Sequence, residues 1–188
     1  MSTPEPAADG LTETTLSSDL IYDGRVVHLY VETVRLPNGS TAKRDVIKHI
    51  GAVAIVAFDA DGKMLLVRQY RQAARRILLE IPAGTLEPGE APLACAIREL
   101  QEETGYKPGK IESLGGIFPA PGYTSEFIHL FLATDLTESR LALDEDEFIE
   151  VLHLSVADTL KLIASGEIAD AKSISGILLA QQRASVIS

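Results

Sequence analysis

The sequence predicts an α/β (α+β) fold: a sandwich of helices on a mixed β-sheet, preceded by a small antiparallel β-sheet. Three observations predict it. Short blocks of β-formers separated by turn residues fill residues 20–81 and return through 111–154. One helical stretch interrupts them at 91–104, and two more close the chain at 155–164 and 172–184.

Residues 1–15, rich in Thr, Ser, Pro, Ala and Glu, read as a flexible tail with neither the basic nor the apolar region of a secretory signal. Residues 16–48 form an N-terminal β segment with strands expected at 20–23, 26–35 and 44–49. Val26, Val27, Leu29, Val31, Thr33 and Val34 favour strand, and Pro37-Asn38-Gly39 is a strong turn signal. Residues 49–188 form a second domain. It opens with a buried strand at 50–58, and Asp59-Ala60-Asp61-Gly62 turns the chain into a strand at 63–70. A short strand at 77–81 stops at Pro82. The helix at 91–104 has Pro92 in its first turn and Gly105 at its end. Leu93, Ala96, Ile97, Leu100 and Thr104 share one of its faces, which should pack on the sheet. Strands follow at 111–118, 126–134 and 147–154; Ser155 with Asp158 resembles a capping box for the helix that Ser165-Gly166 stops.

The net charge of −10 argues against nucleic-acid binding, which needs a basic face. No apolar run approaches the roughly 20 residues of a membrane helix. The single cysteine, Cys95, excludes an internal disulfide and a cysteine metal cluster, and the cytoplasm is the expected compartment. The charges are uneven. Arg68, Arg71, Arg75 and Arg76 lie in an acid-free stretch, whereas Asp144, Glu145, Asp146, Glu147 and Glu150 lie in a base-free one. Most such runs are solvated faces, but a site for a metal-bound polyphosphate requires both kinds.

Residues 84–106 carry the densest chemistry: Gly84, then Glu90, then Arg98-Glu99-Leu100-Gln101-Glu102-Glu103-Thr104-Gly105-Tyr106. Glu99 and Glu103 are four apart and flank the apolar helix face, with Glu102 one step round. Carboxylates crowded this way repel unless a cation sits among them. Their oxygens on a rigid helix suit Mg²⁺ or Mn²⁺. The spacing GX5EX7REUXEEXGU, U being a bulky apolar residue, is met throughout, Tyr106 at the last U being larger and more polar than usual. The segment resembles the Nudix hydrolase family. That resemblance implies a Nudix-type α/β/α sandwich and a hydrolase of nucleoside diphosphates linked to another group. It implies Glu99 and Glu103 as metal ligands, joined by the Ala83 carbonyl, and Glu102 as a further metal carboxylate with a catalytic role. Glu90 and Arg98 become a structural ion pair, and Gly84 and Gly105 structural positions of the motif.

Residues outside the box narrow the resemblance. Gln69-Tyr70-Arg71, Glu80-Ile81-Pro82-Ala83 and the loop Pro119-Ala120-Pro121-Gly122-Tyr123-Thr124-Ser125-Glu126 look like the ADP-ribose pyrophosphatase branch. By that resemblance Arg44, Arg71, Gly122 and Glu126 bind substrate, Glu145 is the general base and Glu147 a further metal ligand. Two or three Mg²⁺ ions would serve the reaction, and the N-terminal β segment would be exchanged in a homodimer. A sensor that binds ADP-ribose without cleaving it is the reading from another class; such proteins lose box carboxylates, and this chain keeps them all.

Overall fold

The computed structural model describes residues 10–139, 141 and 148–187, which fall in two units. The first contains β1 (Thr14–Asp23), β2 (His28–Arg35) and β3 (Thr41–Lys48), an antiparallel sheet in that order. Pro37-Asn38-Gly39 makes the β2–β3 turn, with Gly39 at φ +85° and the Leu36 amide donating to the Ser40 carbonyl at 2.8 Å. Ala120–Glu126 belongs to the same unit. There the Ile47 amide donates to the Tyr123 carbonyl (2.7 Å) and the Ser125 amide to the Ile47 carbonyl (2.9 Å). β1 starts at Thr14, earlier than the strand expected at 20–23 and inside the segment read as tail. Every β1 residue is exposed, so no inward-outward alternation announces the strand; cross-strand pairing to β2 forms it.

The second unit is built on a seven-stranded sheet ordered β10-β5-β4-β9-β8, with β6 beside β5 and β7 beside β4. These are β4 (Ala52–Phe58), β5 (Met64–Arg71), β6 (Arg76–Glu80), β7 (Ala83–Thr85), β8 (Tyr106–Ile117), β9 (Ile128–Glu138) and β10 (Glu150–Leu154). β4 and β9 run parallel and the other pairs antiparallel, which makes the sheet mixed as expected. β4 is apolar on both sides, as a central strand covered on both faces must be. Val53, Ile55 and Ala57 pack with Cys95, Ala96 and Leu100 of α1 (Pro92–Thr104). Ala52, Ala54 and Val56 face Ile177 and Ala180 of α3 (Ala171–Ile187), with Leu160 and Ile163 of α2 (Val156–Ser165) against the same cluster. Each fully buried Leu or Ile here contributes about 1.5–3 kcal/mol of burial. The cap of α2 is as expected, the Asp158 amide donating to Ser155 Oγ at 3.1 Å.

Three further expectations need correction. β7 was not expected; it is three residues long, too short for a pattern to show. β8 begins at Tyr106 rather than 111, because the chain enters the sheet directly from the left-handed Gly105 cap (φ +78°). On α1, Leu93 is 47% exposed, whereas Cys95 and Glu103 are buried. The small side chains Cys95 and Ala96, rather than Leu93, meet the sheet and carry Glu103 inward with them. The strand expected at 147–154 is described from Glu150 onward; Glu145 and Glu147 lie outside the described residues. No described helix is long and apolar enough to cross a membrane.

Candidate active site

Pro82 has no N–H to give a ladder, so the edge strand β6 ends and the chain re-enters beside β4 as β7. Ile55 donates its amide to the Pro82 carbonyl at 2.8 Å, locking that step. The Ala83 amide then donates to Glu103 Oε2 at 2.9 Å, so this buried carboxylate is held against the start of β7. The next residue is Gly84. A Cβ there would lie 1.9 Å from Glu99 Cδ, so the Glu99 carboxylate occupies the space that glycine leaves.

Between β7 and α1 the loop closes through the Glu87 amide, which donates to Glu90 Oε2 at 3.0 Å. Arg98 reaches back from α1 and forks onto Glu90 through Nε (3.0 Å) and Nη2 (2.8 Å). Its Nη1 also bonds Glu99 Oε1 (2.7 Å) and Glu102 Oε2 (2.9 Å). The Arg98 hydrogen bonds, outweighing burial, hold the Glu90 carboxyl down at about 2, and donating to Glu90 raises the Arg98 pKa in turn. Glu90 and Arg98 are therefore the ion pair expected from the motif, and Arg98 is in addition the cation between Glu99 and Glu102. Cys95 is fully buried and its thiol is pushed up to about 12, chiefly by burial, which leaves no nucleophile there.

A depressed carboxyl stabilises the fold above its unfolded pKa, near 4.5, and that contribution is lost as pH falls toward about 2. The stability gap between the wild type and Glu90→Gln is thus expected to be constant above about pH 4.5 and to close between there and about pH 2. Urea midpoints across that range check it; a gap unchanged on acidification would contradict the pairing.

Among the described residues, no three His, Cys, Asp or Glu side chains already stand as a metal centre. Arg98 and the Ala83 amide engage the box carboxylates instead. The residues nevertheless fit a hard divalent cation in their chemistry. Glu90, Glu99 and Glu102 crowd around the single Arg98 guanidinium, with the buried Glu103 on the same helix, and carboxylates crowded this way suit a further cation. Glu99, Glu102 and Glu103 are the side chains that would hold it, beside the Ala83–Gly84 backbone.

Of the other residues singled out in the sequence, Arg71 lies in this unit. It forks onto the buried Glu80 through Nε (3.2 Å to each oxygen) and Nη2 (2.7 Å), with 40% of its side chain exposed. Arg44, Gly122 and Glu126 belong to the first unit, where Arg44 pairs with Glu13 at 2.5 Å. Sequence reasoning missed Lys172, whose ammonium bonds Glu80 Oε2 at 2.9 Å from 92 residues away. No local pattern could have announced it.

Comparison with known proteins identifies the family. The NUDIX domain model matches residues 48–175, and the nucleoside diphosphate sugar hydrolase N-terminal domain matches 13–47. The chain is 46% identical over 165 residues to an ADP-ribose pyrophosphatase of Bacillus subtilis (strain 168), covering 87% of this chain and 89% of that one. It is 43% identical over 164 residues to the methanol dehydrogenase activator of Bacillus methanolicus, covering 86% and 89%. The crystal structure of an ADP compounds hydrolase superposes with a TM-score of 0.81 at 23% identity, covering 92% of this chain and 94% of that one, a likeness of fold. Fold and box together define a pyrophosphohydrolase. The chain belongs to the Nudix family.

Proposed function

We propose that this protein hydrolyses ADP-ribose to AMP and ribose 5-phosphate, with Mg²⁺ (or Mn²⁺) bound at the box. The observation that carries this reading is the intact set Glu99, Glu102 and Glu103, with Glu103 on the Ala83 amide and Glu99 beside Gly84, in a chain similar over most of its length to an ADP-ribose pyrophosphatase. When bound, two or three such ions supply positive charge against the diphosphate and acidify the attacking water. Glu99, Glu103, Glu147 and the Ala83 carbonyl are the ligands we assign, with Glu102 completing the anionic wall. Arg71 presents its exposed edge to a phosphate oxygen, a role its planar fork suits. Arg44, Gly122 and Glu126 bind the remainder of the substrate, and Glu145 takes the proton of the attacking water.

The same reading makes the protein a cytoplasmic homodimer. Leu16, Leu20, Ile21 and Tyr22 on β1 are exposed, an apolar surface that a partner would cover. The second reading, another nucleoside diphosphate sugar as substrate, is favoured by the match of residues 13–47. A panel of ADP-ribose, GDP-mannose, NADH and FAD in Mg²⁺ separates the two. ADP-ribose is expected to give the highest kcat/KM. A rival exceeding it by about tenfold would overturn the substrate while leaving the reaction class.

A further inference from the structure

We propose that Lys172 is a positioning residue for the substrate diphosphate: by sharing the buried Glu80 carboxylate with Arg71, it leaves the Arg71 charge available to an incoming anion. The proposal rests on the reading of Arg71 as a phosphate-binding residue. Glu80 is 2% exposed and ends β6, three residues before Ala83. Its Oε2 accepts both Arg71 Nη2 at 2.7 Å and Lys172 Nζ at 2.9 Å. A lone Arg–Glu fork is neutral and attracts a phosphate weakly. Here two cations share the one Glu80 carboxylate, and of the two only Arg71 is substantially open to solvent.

The same Lys172 ammonium is held from a second side. Asp170 Oδ1 accepts Lys172 Nζ (2.9 Å) and the Ser173 amide (3.0 Å), capping α3. The contacts thus alternate in sign from Asp170 through Lys172 and Glu80 to Arg71, ending in the exposed guanidinium. Asp170 offsets Lys172 in the formal count and its charge also reaches Arg71, so removing Lys172 leaves the group net negative beside that guanidinium. The Glu103 charge also acts on Arg71, which sets this end of the chain beside the box.

α3 is well placed to hold the arrangement. Ser173 Oγ accepts the Ile81 amide at 2.9 Å, and a Cβ on Gly176 would come within 3.0 Å of Ile81 Cδ1. The segment 80–83 is consequently held by Lys172 and Ser173 of α3 and by Glu103 of α1. Ser173 supplies that hold without charge; Lys172, its side chain 15% exposed, adds a cation to it.

The test compares the wild type with Lys172→Met, Lys172→Gln and Lys172→Arg. It reads KM and kcat for ADP-ribose in Mg²⁺, and the Kd of ADP by calorimetry. Lys172→Met and Lys172→Gln are expected to raise KM and the ADP Kd by about tenfold, as for loss of a charge-assisted contact, with kcat within about twofold. Lys172→Arg restores most of the binding. Unchanged KM and Kd in a folded variant, a fall in kcat alone, or no rescue by arginine would each overturn the proposal. Should Lys172→Met not fold, Lys172→Gln, which keeps a donor toward Glu80, decides. A wild type that does not turn over ADP-ribose removes the substrate assignment, and ADP calorimetry then still decides the role of Lys172. Failure of the wild type to bind ADP counts against both Lys172 and Arg71.

Discussion

Glu103→Gln is expected to lower kcat for Mg²⁺-dependent hydrolysis by about two to three orders of magnitude in a protein that remains folded. The substitution separates the two tasks of this side chain. Its structural task is to accept the Ala83 amide at 2.9 Å, which the oxygen of a glutamine also does. Its chemical task is to bring negative charge to the start of β7, which glutamine does not. Because Glu103 is 5% exposed, water offers little replacement for the lost charge at the site. A melting curve close to wild type together with the fall in kcat is the expected pair of results. Near-normal turnover in the folded variant would remove Glu103 from the metal site.

Gly84→Ala is expected to cost about a hundredfold in kcat through Glu99, although residue 84 brings no functional group of its own. The added Cβ would lie 1.9 Å from Glu99 Cδ and 2.1 Å from its Oε1, so the carboxylate must move by more than an ångström. Displacements of that size at a reacting centre are worth about a hundredfold in rate. The accompanying strain is that of overpacking, about 1–3 kcal/mol. Kinetics and a urea titration on the same preparation check both parts. Wild-type turnover would mean that the position of Glu99 does not matter to the reaction.

The box was legible in the sequence because its chemistry imposes spacing. Side chains that share one flank of a helix stand three and four residues apart, and Glu99, Glu102 and Glu103 do. The Glu90–Arg98 pair was legible for the same reason, since it joins the two ends of one loop and helix. The central strands were legible through apolar runs bounded by turn residues, as in 50–58 before Asp59-Ala60-Asp61-Gly62. What escaped lacks a local pattern. β1 is exposed on both faces, and β7 is too short to show a period. Leu93 looked like core because periodicity gives a helix's apolar arc but not its roll on the sheet, which Cys95 and Ala96 set by their small size. The Glu80–Lys172 contact joins β6 to α3, and a lysine in the first turn of a helix reads as a solvated one.

The role proposed for the box carboxylates is to hold the cation with which the diphosphate of ADP-ribose is cleaved. A Mg²⁺ titration of ADP-ribose hydrolysis by the wild type and Glu103→Gln side by side, with products identified, tests it most directly. The wild type is expected to give AMP and ribose 5-phosphate only when Mg²⁺ is present. Turnover by the variant is expected to stay about a hundredfold or more lower at every Mg²⁺ concentration. Wild-type cleavage that persists in EDTA, or a folded Glu103→Gln that matches the wild type, would contradict it.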